Sequence, residues 1–386
     1  MKRLLRALLL VCLSPAAQAA DSRAVESMLA ESLRALQAGQ LDAALSQVDA
    51  LLKQNPNFHL AQLLRGDLLL ARAQPLTNFG NAPAAESDKL DGLRKEAQVR
   101  MRRIQQPPPA DAIPSNLWQI AADQTHVLVV DTSRSTLYVY GNDHGTPRYV
   151  TDFYVSIGKL GSDKVSEGDK RTPLGVYYVK EHLPSSKLTD FYGHDAYPIS
   201  YPNEWDRQHG RSGHGIWLHG TPSNTYSRPP QDSSGCVVLT NEDLDKLGNY
   251  LQVGKTPVII TKHLDWMGDQ DRQARDELMQ AIEQWRSDWS RLDNAAYLGH
   301  YSREFNNGSM NYSEWARYKQ QVNAGKQWVK VELSGMSAFP YPGNNDLVVV
   351  DFDQSYTSNN LSNRAKKRQY WQRQDGQWQI VYEGSN

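Results

Sequence analysis

Cys236 and His219, seventeen residues apart, are the pair in this chain whose types permit nucleophilic chemistry. A thiol attacks as its thiolate, and an imidazole is the usual base that removes its proton. Cys236 lies in Ser233-Ser234-Gly235-Cys236-Val237-Val238, small residues running into a β-branched pair. His219 closes the apolar run Ile216-Trp217-Leu218 and precedes Gly220. The other cysteine, Cys12, falls in an N-terminal segment with the pattern of a removable export signal, which leaves one thiol in the mature chain. Structural cysteines outside the cytoplasm usually come in pairs, so a single one points to a reactive group or an intermolecular bridge. A buried, inert cysteine is the bland alternative.

In that chemistry Cys236 attacks a peptide carbonyl, and His219 takes the thiol proton and returns it to the leaving amine. The backbone N–H groups of Gly235 and Cys236 are candidates for the oxyanion hole, which needs donors aimed at the developing charge. His214 is a rival base. If 213–220 is one continuous strand, residues five apart face opposite sides, so only one of the two histidines can face Cys236. His219 is the choice, and His214 is expected to border the substrate groove or to sit in a solvated turn. Arg171 is a candidate for a substrate carboxylate. Trp217 and Tyr201 belong to an aromatic cluster with Tyr192, Tyr197 and Trp205 that suits either a groove mouth or an ordinary core. The ten histidines form no metal-binding helix pair and Cys236 has no partner cysteine, so no metal and no cofactor are expected. The run 168–175 lacks the Gly-Lys-Ser/Thr order of a phosphate loop.

The elements that must position these residues change along the chain. Residues 21–106 carry helical periodicity: Leu29, Leu33 and Leu36 up to Gly39, then Leu41 to Leu52 up to Asn55-Pro56, then Leu60 to Ala73, then Lys89 to Ile104. One tetratricopeptide-type unit or a plain helical hairpin fits this pattern equally. Pro107-Pro108-Pro109 opens a linker, 107–114. Residues 115–262 read as mostly β, with strands at 127–130, 137–140, 149–157, 175–180, 215–218 and 256–261. Residues 264–386 begin with an apolar helical stripe, Ala274, Leu278, Ile282, Trp285 and Trp289. A second helical stretch at 297–305 and four strands follow. The fold class is multidomain α+β.

On these residues the 120–262 segment resembles the YkuD-type L,D-transpeptidase catalytic domain of bacterial cell-wall enzymes. The resemblance runs in order through Val155-Ser156-Ile157-Gly158-Lys159, Gly168 to Tyr177 with its Thr172-Pro173-Leu174-Gly175 signature, His219-Gly220, and Ser234-Gly235-Cys236. It implies Cys236 as nucleophile, His219 as base, the Gly220 carbonyl as the group orienting the imidazole, and Ser234 near substrate. Ser234 stands where many members have histidine, and Val238 where many have arginine or asparagine that helps hold substrate. Residues 264–386, through Tyr370 to Arg373 and Gly376 to Glu383, resemble the SnoaL-like or nuclear-transport-factor-like cone, a fold that binds ligands or mediates dimers or contact with another envelope protein. The order of parts is similar to L,D-carboxypeptidases of curved bacteria. Peptidoglycan stem peptides are the implied substrate, with an amine or water as acceptor.

Formal net charge is −1 over 386 residues, so no basic field points to nucleic acid. Lys2, Arg3 and Arg6, the apolar run Ala7 to Leu13, and Ala17-Gln18-Ala19 compose a signal peptide over residues 1–20. That run is far shorter than the roughly 20 residues of a membrane span, so a cleaved, periplasmic protein is expected. A non-catalytic envelope-binding protein is the reading from another class. Every candidate catalytic residue precedes Lys262, and the cone's helix stripe and tryptophan-rich strands suggest a core of its own. It is therefore expected to be separable from the chemistry.

Overall fold

The computed structural model describes residues 22–76, 78–81, 86–109 and 111–385. The signal segment lies outside them. Four helices, Ser22–Gln37, Leu41–Gln54, His59–Ala71 and Ser87–Gln105, come first. Their apolar stripes meet in one core of Val25, Leu29, Val48, Leu51, Leu64 and Leu68, into which Tyr226 from the catalytic region also inserts. An amphipathic helix is stabilised mainly by such packing.

The centre of the molecule is a five-stranded sheet in the order Thr146–Tyr154, Thr136–Asp143, His126–Asp131, Pro257–Thr261, Gly175–Tyr178. Its strands are β-branched and aromatic on both faces, so both faces must be covered. Leu128, Val130, Leu137, Val139, Val258 and Ile260 enter the core of the catalytic region. Their alternates Val127, Val129, Tyr138, Tyr140, Val176, Tyr178 and Ile259 pack on Phe339, Tyr341, Leu347, Val349, Tyr370 and Val381 of the C-terminal cone. The cone has the core of its own that was expected, with Leu278, Ile282, Trp285, Trp289, Trp371 and Trp378, but period-2 alternation also puts a second apolar set on the far face of the central sheet, and the cone covers it. Buried Arg368 adds a polar tie, with two hydrogen bonds to Asp351 at 2.7 and 3.0 Å and a third to Glu204 at 3.1 Å.

The cone itself is a four-stranded antiparallel meander, Val329–Pro340, Leu347–Ser358, Leu361–Gln374 and Gln377–Ser385, wrapped on helices Asp269–Ser290, Asn294–Gly299 and Tyr312–Ala324. The helical stretch expected over 297–305 is only the end of Asn294–Gly299. The helix Tyr312–Ala324 was not foreseen, although Asn311 and Glu314 form a capping box at its start. Residues 114–120 bond to the cone rather than to the strands that follow: the Trp118 and Gln119 amides both donate to the Ala338 carbonyl.

Candidate active site

Below the central sheet lies a smaller one, Val237–Val238, Trp217–His219, Asp195–Pro198 and Leu183–Pro184. Its first two strands are parallel, with Val237 opposite Leu218 and Val238 opposite His219. Ile216, Leu218, Val237 and Leu239 point into the core. Alternation then sends Trp217, His219, Cys236 and Val238 to the other face. Cys236 stands level with Trp217, one step along from His219 on the neighbouring strand. The two residues singled out by type are thus brought to one face by the register of a parallel pair.

His219 is 1% exposed and its Nδ1 lies 2.7 Å from the Gly220 carbonyl oxygen. That acceptor places the ring proton on Nδ1 and leaves the Nε2 lone pair free for a thiol proton. Tyr192 meets the imidazole edge-on at 5.1 Å, and Trp217 stacks against Tyr192 at 4.7 Å. Gly220 is required by close approach: a Cβ there would lie 2.0 Å from Asn241 Oδ1. Asn241 in turn donates to the Thr221 carbonyl at 2.9 Å and accepts from the His194 amide at 3.1 Å, holding the strand end that carries the imidazole's acceptor.

The nucleophile loop is fixed from below. Gly235 has φ +128, which favours glycine, and a Cβ on it would meet the Arg171 carbonyl at 2.7 Å. Thr172 Oγ1 donates to the Gly235 carbonyl at 2.9 Å and accepts from the Gly158 amide at 2.9 Å. In a trans peptide the next N–H points opposite to that carbonyl, so the Cys236 N–H is turned away from Thr172. The Gly235 N–H, expected to face the oxyanion, instead donates to Ser233 Oγ at 3.0 Å, while Ser233 Oγ donates to the Cys236 carbonyl at 2.6 Å. One N–H cannot serve both partners, and the candidate hole rests on Cys236.

Burial pushes the Cys236 thiol up to about 11 and the His219 imidazole down to about 4. Against the thiol's rise work a hydrogen bond from the Trp217 backbone and the charges of Arg228 and Lys164. The resting pair is therefore neutral thiol and neutral imidazole, not the thiolate that a nearby base was expected to make at neutral pH.

The remaining predicted residues differ in their surroundings. The strand begins at Trp217, not at 213, so His214 is on an irregular, exposed segment, 3.5 Å from Glu167. It directly precedes Gly215, whose carbonyl accepts from the Cys236 thiol at 3.4 Å, so strand alternation does not apply to it. Arg171 is exposed and donates to the Ser162 carbonyl at 2.9 Å. Tyr201 is buried in the core, its hydroxyl donating to the Ser212 carbonyl at 2.8 Å. Ser234 is exposed beside Cys236 and Trp217 half-buried. Sequence reasoning missed Asn241 and Arg228. The signal for Arg228 was present: a cation before Pro229-Pro230, inside the segment joining His219 to Cys236. Among the described residues, no group of three or more His, Cys, Asp or Glu side chains could hold a metal ion.

Comparison with known proteins agrees with this layout. Residues 125–260 match the L,D-transpeptidase catalytic domain (YkuD), and residues 277–384 the Cds6 C-terminal NTF2-like domain. The L,D-transpeptidase homologue YafK of Escherichia coli K12 is 30% identical over 96 residues, 24% of this chain and 33% of that protein. This match therefore spans only a third of the curated relative's length. The structure of Bd1075 from Bdellovibrio bacteriovorus superposes with a TM-score of 0.63 at 28% identity, covering 71% of this chain and 98% of that one. Pgp2 of Campylobacter jejuni, described as a helical cell shape determining protein, shares the fold at 24% identity and a TM-score of 0.61, covering 74% of this chain and 99% of that one. The segment that carries Cys236 and His219 is thus a YkuD-type L,D-transpeptidase catalytic domain, and a Cds6-type NTF2-like domain follows it in the same chain.

Proposed function

We propose that this chain is an exported, periplasmic cysteine acyl-transfer enzyme acting on peptidoglycan stem tetrapeptides. The observation that carries the reading is the shared face of Cys236 and His219, with Nδ1 engaged by the Gly220 carbonyl at 2.7 Å. As the Cys236 sulfur adds to the carbonyl of the third residue, His219 Nε2 takes the thiol proton. The oxyanion that forms meets the Cys236 N–H. The imidazolium then gives its proton to the amine of the departing D-alanine, which leaves a thioester. An incoming amine gives a new cross-link and water gives a tripeptide; His219 takes the proton of either and returns it to the sulfur. Hydrolysis is kept beside transpeptidation because the order of parts resembles L,D-carboxypeptidases of curved bacteria, and a protein described as determining helical cell shape superposes over 74% of this chain. Mass spectrometry of disaccharide-tetrapeptide after incubation with the mature protein separates the outcomes. Dimer supports transpeptidation, tripeptide supports carboxypeptidation, and unchanged substrate rejects both in favour of a binding protein.

Two further expectations follow from His219. His219→Ala should lower turnover by about two to four orders of magnitude, the usual worth of a positioned general base. His214→Ala should leave it nearly unchanged, and the opposite ranking would assign the base to the wrong histidine. The acid limb of kcat/KM should lie near pH 4, because burial holds the imidazole's proton affinity down to about 4 and the active form is the deprotonated one. Activity is thus retained as pH falls through about 6.5, where a solvated histidine would protonate. A limb at that higher value would show that His219 is not desolvated in the working enzyme.

A further inference from the structure

Arg228 is a half-buried cation without an anion. Its guanidinium carbon lies 4.9 Å from the centroid of the Phe191 ring, which is itself 6.2 Å from the His219 ring. Among the described residues no hydrogen bond or ion pair engages the guanidinium. Asp232 and the Cys236 sulfur act on it only through space, and burial lowers its proton affinity. A charge drawn out of water is costly unless a partner meets it. Lys164, the other cation that acts on the Cys236 sulfur, is already bonded to Asp169 at 2.8 Å, and Val238, level with His219, is 2% exposed and apolar.

The backbone around Arg228 is held from several sides. Ser227 Oγ donates to Glu96 at 2.6 Å, and Glu96 is bonded to buried Arg100. The Tyr226 ring packs on Phe58 at 4.7 Å, and the Tyr226 amide donates to the Asn57 carbonyl at 3.2 Å. The Arg228 carbonyl accepts from Tyr154 Oη at 2.9 Å, and the Pro229 carbonyl from Ser156 Oγ at 2.6 Å. The N-terminal helices thus grip the loop that carries Arg228, whose guanidinium lies over the Phe191 ring beside His219. A planar guanidinium fixed in this way matches a carboxylate by two parallel hydrogen bonds.

We propose that Arg228 is the receptor for the free α-carboxylate of the departing residue, so that the site selects peptides ending one residue beyond the scissile bond. This rests on the acyl-transfer reading and adds the feature of substrate that it demands. The test compares a stem tetrapeptide with its C-terminal amide. The wild-type enzyme should favour the acid in kcat/KM by about ten- to a hundredfold, the range for a hydrogen bond to a charged group. Arg228→Gln should lose that factor on the acid and none on the amide, bringing the ratio near one, and Arg228→Lys should keep part of it. Equal wild-type turnover of acid and amide overturns the proposal and leaves acyl transfer standing. An equal fall on both substrates in Arg228→Gln makes the residue structural and also overturns it. Conversion of neither substrate by the wild-type protein overturns the acyl-transfer reading and this proposal together. Should Arg228→Gln fail to fold, the wild-type ratio and Arg228→Lys decide.

Discussion

Cys236→Ala should bring conversion of disaccharide-tetrapeptide to the detection limit and abolish covalent labelling by a carbapenem, a strained acyl donor. The expectation is this large because nothing nearby can substitute. Ser233 is the adjacent hydroxyl turned inward, and its Oγ is committed to the Cys236 carbonyl and the Gly235 amide. Ser234 is exposed and lies in a bend outside the paired strands. The sulfur's polar contacts are weak ones to backbone, the Gly215 carbonyl at 3.4 Å and the Trp217 backbone, so the variant should melt close to wild type. Intact-mass spectrometry reads the label, and a labelled Cys236→Ala protein would sink the assignment.

A chain ending at Lys262 should not fold. The cone covers seven apolar side chains on the far face of the central sheet, from Val127 to Ile259. At about 1.5–3 kcal/mol for each side chain returned to water, the loss rivals the whole stability of an ordinary domain, about 5–15 kcal/mol. It also strips Glu204 of Arg368. Loss of the cooperative melt, with aggregation and failure of Cys236 acylation, is the expected outcome. A soluble, cooperatively melting, carbapenem-reactive truncation would show that the interface is dispensable. Lys262 is thus the end of the catalytic motifs but not of the unit that must fold with them.

What the sequence disclosed followed from local chemistry. Strand periodicity, the proline linker and the long helix under Leu278, Ile282, Trp285 and Trp289 are all short-range signals, and each corresponds to an element. Cys236 and His219 stand out by residue type and order, and Gly220 through the family resemblance. What stayed hidden depends on which distant segments touch. Alternation in Val127 to Val130 announced two buried faces, but only the fold says that Phe339 and Tyr341 cover one of them. Tyr201 is aromatic and near the motifs in sequence, yet its hydroxyl ties a loop within the core. The Gly235 N–H was assigned by proximity to Cys236, whereas its direction is set by a side chain two residues back. Arg228 gains meaning only when Glu96, some 130 residues earlier, fixes its loop.

The central sheet also sets an order of events. Its middle strand pairs in parallel with one that arrives late, Leu128 beside Val258. A chain emerging N-terminus first cannot complete that pairing until the second strand is out, and the far face waits longer still, for Val381. Contacts of such wide separation are slow to form. Until they do, Cys236 is an ordinary thiol on an unfolded segment, without its imidazole and without the loop that presents Arg228. A chain still short of Val381 leaves the far face of the sheet uncovered, so the fold that carries the catalytic pair is completed only at its C-terminal end.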